Sequence, residues 1–272
     1  MGKSILKSSL IDDKNVVAFF TTRDLPLKAG EREDLIQEVE NNKKLVCEGL
    51  NIPPKNLVIP VQTHSDNVAI LDAKRHRGIE AKEEKYYASL HPDIFASKNL
   101  SRLTSHVSLY ENTDALITDQ PQIALVLNFA DCVPIIFYDP VKKVIAASHA
   151  GWKGTVQKIG PETVEKMIET FGCKAKDIIA LIGPAIGKCC FEAKDDVLQQ
   201  LRDSISSQDT EAISDTRADL KLINKLQLLA MGVKKIDLCE YCTSCQSELF
   251  FSYRRENGKT ARHSAVVMVN GR

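Results

Sequence analysis

Apolar residues along this chain gather into short runs divided by polar punctuation, and the period of those runs changes with position. Val16–Phe20 is a continuous apolar run of the kind a buried strand uses. Glu33–Gly49 shifts to helical spacing, with Leu35, Ile36, Val39, Leu45 and Val46 recurring on one face and Gly49 as the stop. Leu57–Pro60 reads as a short strand leading to His64, and Asn67–Leu71 continues it. From Thr113 the chain is strand-rich: Ala115–Thr118, Ile123–Phe129, Val133–Tyr138 and Lys143–Ser148 follow one another. Asp119-Gln120-Pro121 and Asp139-Pro140 separate them as turns, and connections this short favour antiparallel hairpins.

Helical spacing returns over Val156–Phe171, closed by Gly172 and broken near Gly160, where Pro161 suits a first turn. Asp177–Ile182 is a further strand. Asp195–Leu201 and Thr216–Met231 read as helices, the second capped by Gly232. Lys234–Leu238, Leu249–Tyr253 and Ser264–Val269 read as closing strands. Ala73–Glu111 breaks the pattern. It is charged and weakly periodic, an excursion from the core that is either a lid or a solvated decoration. With no repeat and no Pro/Gly/Ser-rich linker, residues 1–272 read as a single α+β domain carrying a variable excursion at about 73–111.

Composition narrows the function classes. At 43% hydrophobic and 26% charged the chain has a globular balance. Its 36 basic and 36 acidic residues cancel, so no global field recruits nucleic acid or an anionic membrane. No run reaches membrane-helix length, and the N-terminus lacks a signal-peptide core. Eight cysteines are too few for a disulfide scaffold in a chain of 272 residues, which suggests reduced thiols and a cytoplasmic protein. A small-molecule partner fits this balance, with the chain as monomer or homodimer.

Candidate chemistry lies at the ends of two apolar runs. Cys132 follows Phe129-Ala130-Asp131, where a strand has run out, and Pro134 marks an edge or bend. His149 ends Val144-Ile145-Ala146-Ala147-Ser148 and precedes Gly151 and Gly154, so backbone can approach a ligand closely. His64 lies upstream in Gln62-Thr63-His64-Ser65. Two imidazoles and a thiolate make a three-ligand set for a soft-to-borderline metal with one position open. The plainer alternative is a buried structural cysteine and two hydrogen-bonded histidines.

Five segments occur in one order: Thr113–Thr118, Ala130–Pro134, His149–Thr155, Ile182–Gly187 with Cys189-Cys190, and Phe250–Arg255. As a set they resemble the laccase-domain (YfiH-like) purine nucleoside phosphorylases, once called polyphenol oxidases, from about Val16 to the C-terminus. The resemblance implies a layered α/β/β/α fold with mixed, largely antiparallel sheets. It also implies a zinc-type site formed here by His64, Cys132 and His149, these residues being catalytic as well as metal-binding. The implied reactions are phosphorolysis of adenosine, inosine and methylthioadenosine, with adenosine deamination beside it. The glycine-rich turn usual after the first strand is replaced by Asp24-Leu25-Pro26-Leu27, and Ser65 stands where glycine is common.

For this chemistry Asp131 is the acid/base candidate, with turn capping as its other reading. Gly151-Trp152-Lys153-Gly154-Thr155 at a helix start offers amides and an ammonium to phosphate, and Arg23 adds a bidentate contact. Arg23, Gln62 and Lys153 are thus the expected substrate-binding residues. Trp152 reads as core packing. Zinc is the expected metal, with copper as the alternative. Six histidines without a His-x-His pair do not support a multicopper cluster. Two other readings stay open: a cysteine hydrolase acting on a peptidoglycan precursor, with Cys132 as nucleophile and His149 as base, and a non-enzymatic metal-binding module. Cys239-x-x-Cys242-x-x-Cys245 fails the ferredoxin pattern because position 249 is leucine. With Cys189 or Cys190 it makes a candidate four-thiolate zinc site, or else plain structural cysteines.

Overall fold

The alternation of side chains along the strands sorts the apolar residues onto two faces, and both faces are covered. In the computed structural model, which describes residues 5–71 and 110–271, two mixed, largely antiparallel sheets lie face to face. The five-stranded sheet has the order β1 (Ile5–Leu6), β2 (Val16–Thr21), β11 (His263–Val269), β6 (Ala124–Phe129), β3 (Leu57–Val58). The six-stranded sheet runs β10 (Lys235–Leu238), β9 (Ile179–Ile182), β7 (Val133–Asp139), β8 (Val144–Ala150), β5 (Ala115–Thr118), β4 (Val68–Leu71). Helix α1 (Ile36–Leu50) covers the outer face of the first sheet. Helices α2 (Trp152–Val156), α3 (Ile159–Phe171), α4 (Asp195–Asp203) and α5 (Leu220–Ala230) cover the second.

The layers follow from period 2 in strands buried on both sides. Along β6, Leu125, Leu127 and Phe129 enter the core between the sheets, while Ala124 and Val126 face α1. Along β7, Ile136 and Tyr138 enter the inter-sheet core, while Val133, Ile135 and Phe137 pack under α3 and α5. Every residue of β5 to β8 is buried. This is why the sequence shows continuous apolar runs rather than alternation.

Three expectations are corrected. Of the short connections after Thr113, only β7–β8 is a hairpin, paired antiparallel from Val133↔Ala150 to Asp139↔Val144. The chain changes sheet between β5 and β6, and again between β6 and β7, because each strand needs a partner layer on both faces. Leu249–Tyr253 is not a strand. Its polar backbone is satisfied by local and side-chain bonds instead, including Arg23 N–H to the Leu249 carbonyl at 2.8 Å. The helix break expected near Gly160 falls at Lys158 (φ 60°), just before Ile159, and leaves Pro161 in the first turn of α3. Helix α1 runs through Gly49 and is closed by Asn51 in the left-handed conformation, a residue type that tolerates it. The excursion Ala73–Glu111 lies outside the described residues except for Tyr110 and Glu111.

Candidate metal centre

The crossing from β6 to β7 consumes only Ala130, Asp131 and Cys132, so Cys132 sits at the corner where the chain passes from one sheet to the other. Pro134, next but one along, pairs opposite His149 across the β7–β8 hairpin. Hairpin register therefore brings Cys132 and His149 together. His64 arrives from the loop between β3 and β4, where its backbone is left-handed (φ 63°). The ligand atoms of His64, Cys132 and His149 all lie within 4.8 Å of one another. Cys132 Sγ is 3.7 Å from His64 Nε2, and the two imidazole rings are 4.8 Å apart at an angle of 66°.

Asp114 organises this set. Its side chain is fully buried, and its Oδ1 accepts from His149 Nδ1 at 2.7 Å. Its Oδ2 accepts from the Ser65 amide and hydroxyl, each at 2.7 Å, and from the Thr63 amide at 3.1 Å. One carboxylate thus fixes the His149 ring and clamps the loop on both sides of His64. Because Nδ1–H is spent on Asp114, Nε2 is the His149 nitrogen left for a ligand, the usual outer-sphere arrangement of a metal histidine. Asp114 lies in Thr113–Thr118, one of the segments that carry the family resemblance, but it was given no role of its own from sequence. The available clue was a carboxylate at the mouth of a wholly apolar strand, which must find partners.

In the pocket Cys132 and His149 each favour the other's charged form. Burial pushes the Cys132 thiol up, but the charge and hydrogen bonds of His149 and His64 outweigh it and lower the pKa to about 6. Burial pushes His149 down, but Cys132 and Asp114 together raise it to about 9. Burial likewise opposes ionisation of Asp114, and the bonds to His149 and Ser65 hold its carboxyl well below the ordinary range. Space is tight: a Cβ on Gly151 would lie 3.0 Å from both Cys132 Sγ and His64 Cδ2. Two imidazole nitrogens and a pre-ionised thiolate, converging with one side open through exposed His64, fit a single four-coordinate ion with one position free.

The other residues singled out from sequence are placed differently. Asp131, left-handed at φ 86°, spends Oδ1 on the Thr243 hydroxyl (2.6 Å). Its Oδ2 accepts from the Ser252 hydroxyl (3.0 Å) and the Arg254 amide (2.7 Å). Its carboxylate braces the 243–254 loop. Gln62 exchanges both ends of its amide with the Asn128 backbone, at 2.8 and 2.9 Å, tying the His64 loop to the end of β6. Arg23 stacks over Phe251 at 5.1 Å and donates to the Ser247 carbonyl. Lys153 is exposed, with its ammonium 5.7 Å from the ring centre of half-buried Trp152. Helix α2, which begins at Trp152, is five residues long, so its dipole is small.

Known proteins are similar to this chain in sequence and architecture. The purine nucleoside phosphorylase YlmD of Bacillus subtilis is 33% identical over 271 residues, covering 94% of this chain and 89% of that protein. The adenosine deaminase RL5, from an unknown prokaryotic organism, is 32% identical over 213 residues, covering 76% and 72%. The crystal structure of the hypothetical protein YfiH of Bacillus licheniformis superposes with a TM-score of 0.77 at 33% identity, over 98% of this chain and 97% of that one. The chain belongs to the family described as multi-copper polyphenol oxidoreductase laccase, whose model its residues 22–270 match.

Proposed function

We propose that this chain is a metal-dependent purine nucleoside phosphorylase, acting on adenosine, inosine and methylthioadenosine, with adenosine deamination as a second activity. The observation that carries the reading is the convergence of His64, Cys132 and His149 within 4.8 Å, oriented by buried Asp114. The names of the relatives agree with it. His64, Cys132 and His149 would hold the ion, zinc in this reading, which would supply Lewis acidity and lower the pKa of water for attack. Copper is the alternative occupant. Three donors suffice for one ion and not for a multicopper cluster, and among the described residues the only other histidine is His263, which is fully buried.

The chain's own residues then have these parts. Cys132 and His149 hold the reacting centre, and Asp114 keeps the His149 ring in one tautomer and orientation. His64 closes the set from an exposed loop, so the substrate enters on that side. Phosphorolysis joins a phosphate oxygen to the ribose C1′ and breaks the bond to the purine nitrogen, which takes a proton. Exposed Lys153 supplies positive charge for the phosphate, with Arg23 as the second cation. Gln62 positions the His64 loop against Asn128. Asp131, occupied by Thr243, Ser252 and Arg254, positions Cys132 rather than moving a proton.

One observation favours a second reading. Cys132, His149 and Asp114 also stand in nucleophile–base–carboxylate order, with the thiol pKa lowered to about 6, as in a cysteine hydrolase. Cys132→Ala separates the two. Activity lost together with the metal supports the ligand role, whereas activity lost with the metal retained supports the nucleophile. Incubation with adenosine, with and without phosphate, tests the main reading. Adenine and ribose 1-phosphate mark phosphorolysis, and inosine marks deamination.

A further inference from the structure

A second group of soft ligands lies apart from His64, Cys132 and His149. The sulfurs of Cys189, Cys190, Cys242 and Cys245 all fall within 4.8 Å of one another, with Cys190–Cys245 at 3.4 Å and Cys189–Cys245 at 3.6 Å. Four thiolates on one tetrahedral zinc, at Zn–S of about 2.3 Å, stand about 3.8 Å apart. All four cysteines are free thiols. Cys242 Sγ accepts the Gly187 amide at 3.2 Å, the N–H···S bond that stabilises a metal thiolate. A Cβ on Gly187 would lie 3.2 Å from both Cys189 Sγ and Cys242 Cβ, so glycine at 187 lets the turn close tightly on the sulfurs. Arg217 and Arg254 hold the ligand backbones through the Cys189 carbonyl (2.7 Å) and the Cys190 carbonyl (3.2 Å). The sequence spacing suggested Cys239 as a member with one of the vicinal pair. The sulfurs grouped here use both Cys189 and Cys190 and leave Cys239 out.

We infer that Cys189, Cys190, Cys242 and Cys245 form a structural tetrathiolate zinc site, distinct from the His64–Cys132–His149 centre. Four protein ligands leave no open position, so the ion is a staple and not a catalyst. It joins the turn after β9 to the loop after β10, and both segments hang on Asp131. The Ile186 amide donates to the Asp131 carbonyl at 2.9 Å, and Thr243 and Arg254 donate to its carboxylate. The staple therefore fixes the residue that precedes Cys132. Binding expels the thiol protons to solvent, with no change in sulfur oxidation state.

The test counts metal per chain in protein purified under reducing conditions with zinc supplied. The variants are His64→Ala/His149→Ala, Cys189→Ser/Cys190→Ser and Cys239→Ser. The histidine variant retains one tightly held zinc, the Cys189/Cys190 variant loses one relative to the parent, and Cys239→Ser loses none. A folded histidine variant without metal overturns the inference, as does an unchanged count in the Cys189/Cys190 variant or a disulfide among these four cysteines. Should the cysteine variant not fold, cobalt loading of the histidine variant decides. Thiolate-to-cobalt charge-transfer and tetrahedral d–d bands are expected, and their absence overturns the assignment.

Discussion

Asp114 Oδ1 lies 2.7 Å from His149 Nδ1, and the same carboxylate takes three hydrogen bonds from Thr63 and Ser65 through its other oxygen. A single buried acid thus sets the positions of two proposed metal ligands, His64 and His149, that are far apart in the chain. Asp114→Asn keeps the shape but turns an amide donor toward groups that themselves donate. Loss of such an outer-sphere partner costs metal affinity about 10–100-fold. Chelator competition on the purified variant measures this, and unchanged affinity in a folded variant contradicts it.

The same residue sets an acid limb on stability. Its folded-state pKa is depressed, so its contribution is present in full above the ordinary carboxylate value of about 4 and disappears as the pH falls through the folded value. Denaturation of the metal-free protein from pH 6 downward is expected to show this loss, and Asp114→Asn to flatten it. An equally steep acid limb in the variant contradicts the assignment.

Metal binding should release protons in a defined order. With the Cys132 thiol at about 6 and His149 at about 9, the metal-free pair holds one shared proton between those values and two below them. A ligating thiolate and imidazole carry neither, so affinity rises about tenfold per pH unit between pH 6 and 9 and more steeply below 6. Calorimetry in buffers of different ionisation enthalpy reads the proton count directly. A pH-independent affinity over this window contradicts the pair.

Gly151 separates packing from ligand chemistry. Its φ of −65° suits any residue, so Gly151→Ala carries no backbone strain. Its new Cβ nevertheless meets Cys132 Sγ and His64 Cδ2 at 3.0 Å. The variant is expected to keep its melting temperature within a few degrees while metal content and activity fall together. Full activity would show that the ligands sit further apart than described.

Lys153 distinguishes the two reactions, because only phosphorolysis uses phosphate. Lys153→Ala is expected to raise the KM for phosphate several-fold and leave phosphate-independent deamination of adenosine unchanged. An equal loss in both would assign Lys153 a structural part instead.

Much of this was legible in the chain because burial on both faces writes itself as unbroken apolar runs. The strands ending at Phe129 and Ala150 were visible that way, and so were Cys132, just beyond the first, and His149, near the end of the second. What those runs conceal is sheet membership. A strand covered on both sides carries no alternation to say which neighbour it pairs with, so the changes of sheet around β6 read as hairpins. Leu249–Tyr253 looked like a strand because Phe250 and Phe251 are buried, but its polar groups are satisfied by Arg23, Asp131 and Gln246 rather than by a ladder. Asp114 stood in the Thr113–Thr118 segment without a role of its own, because only distance in space shows which histidine a lone carboxylate serves.

We propose that His64, Cys132 and His149 hold one metal at which a purine nucleoside reacts. The most direct measurement is metal content and adenosine turnover, with and without phosphate, on the parent chain and on Cys132→Ala side by side. The account predicts bound metal with phosphate-dependent release of adenine and ribose 1-phosphate in the parent, and loss of both that metal and the products in the variant. A parent chain that turns over no adenosine and binds no metal at these three residues would contradict it.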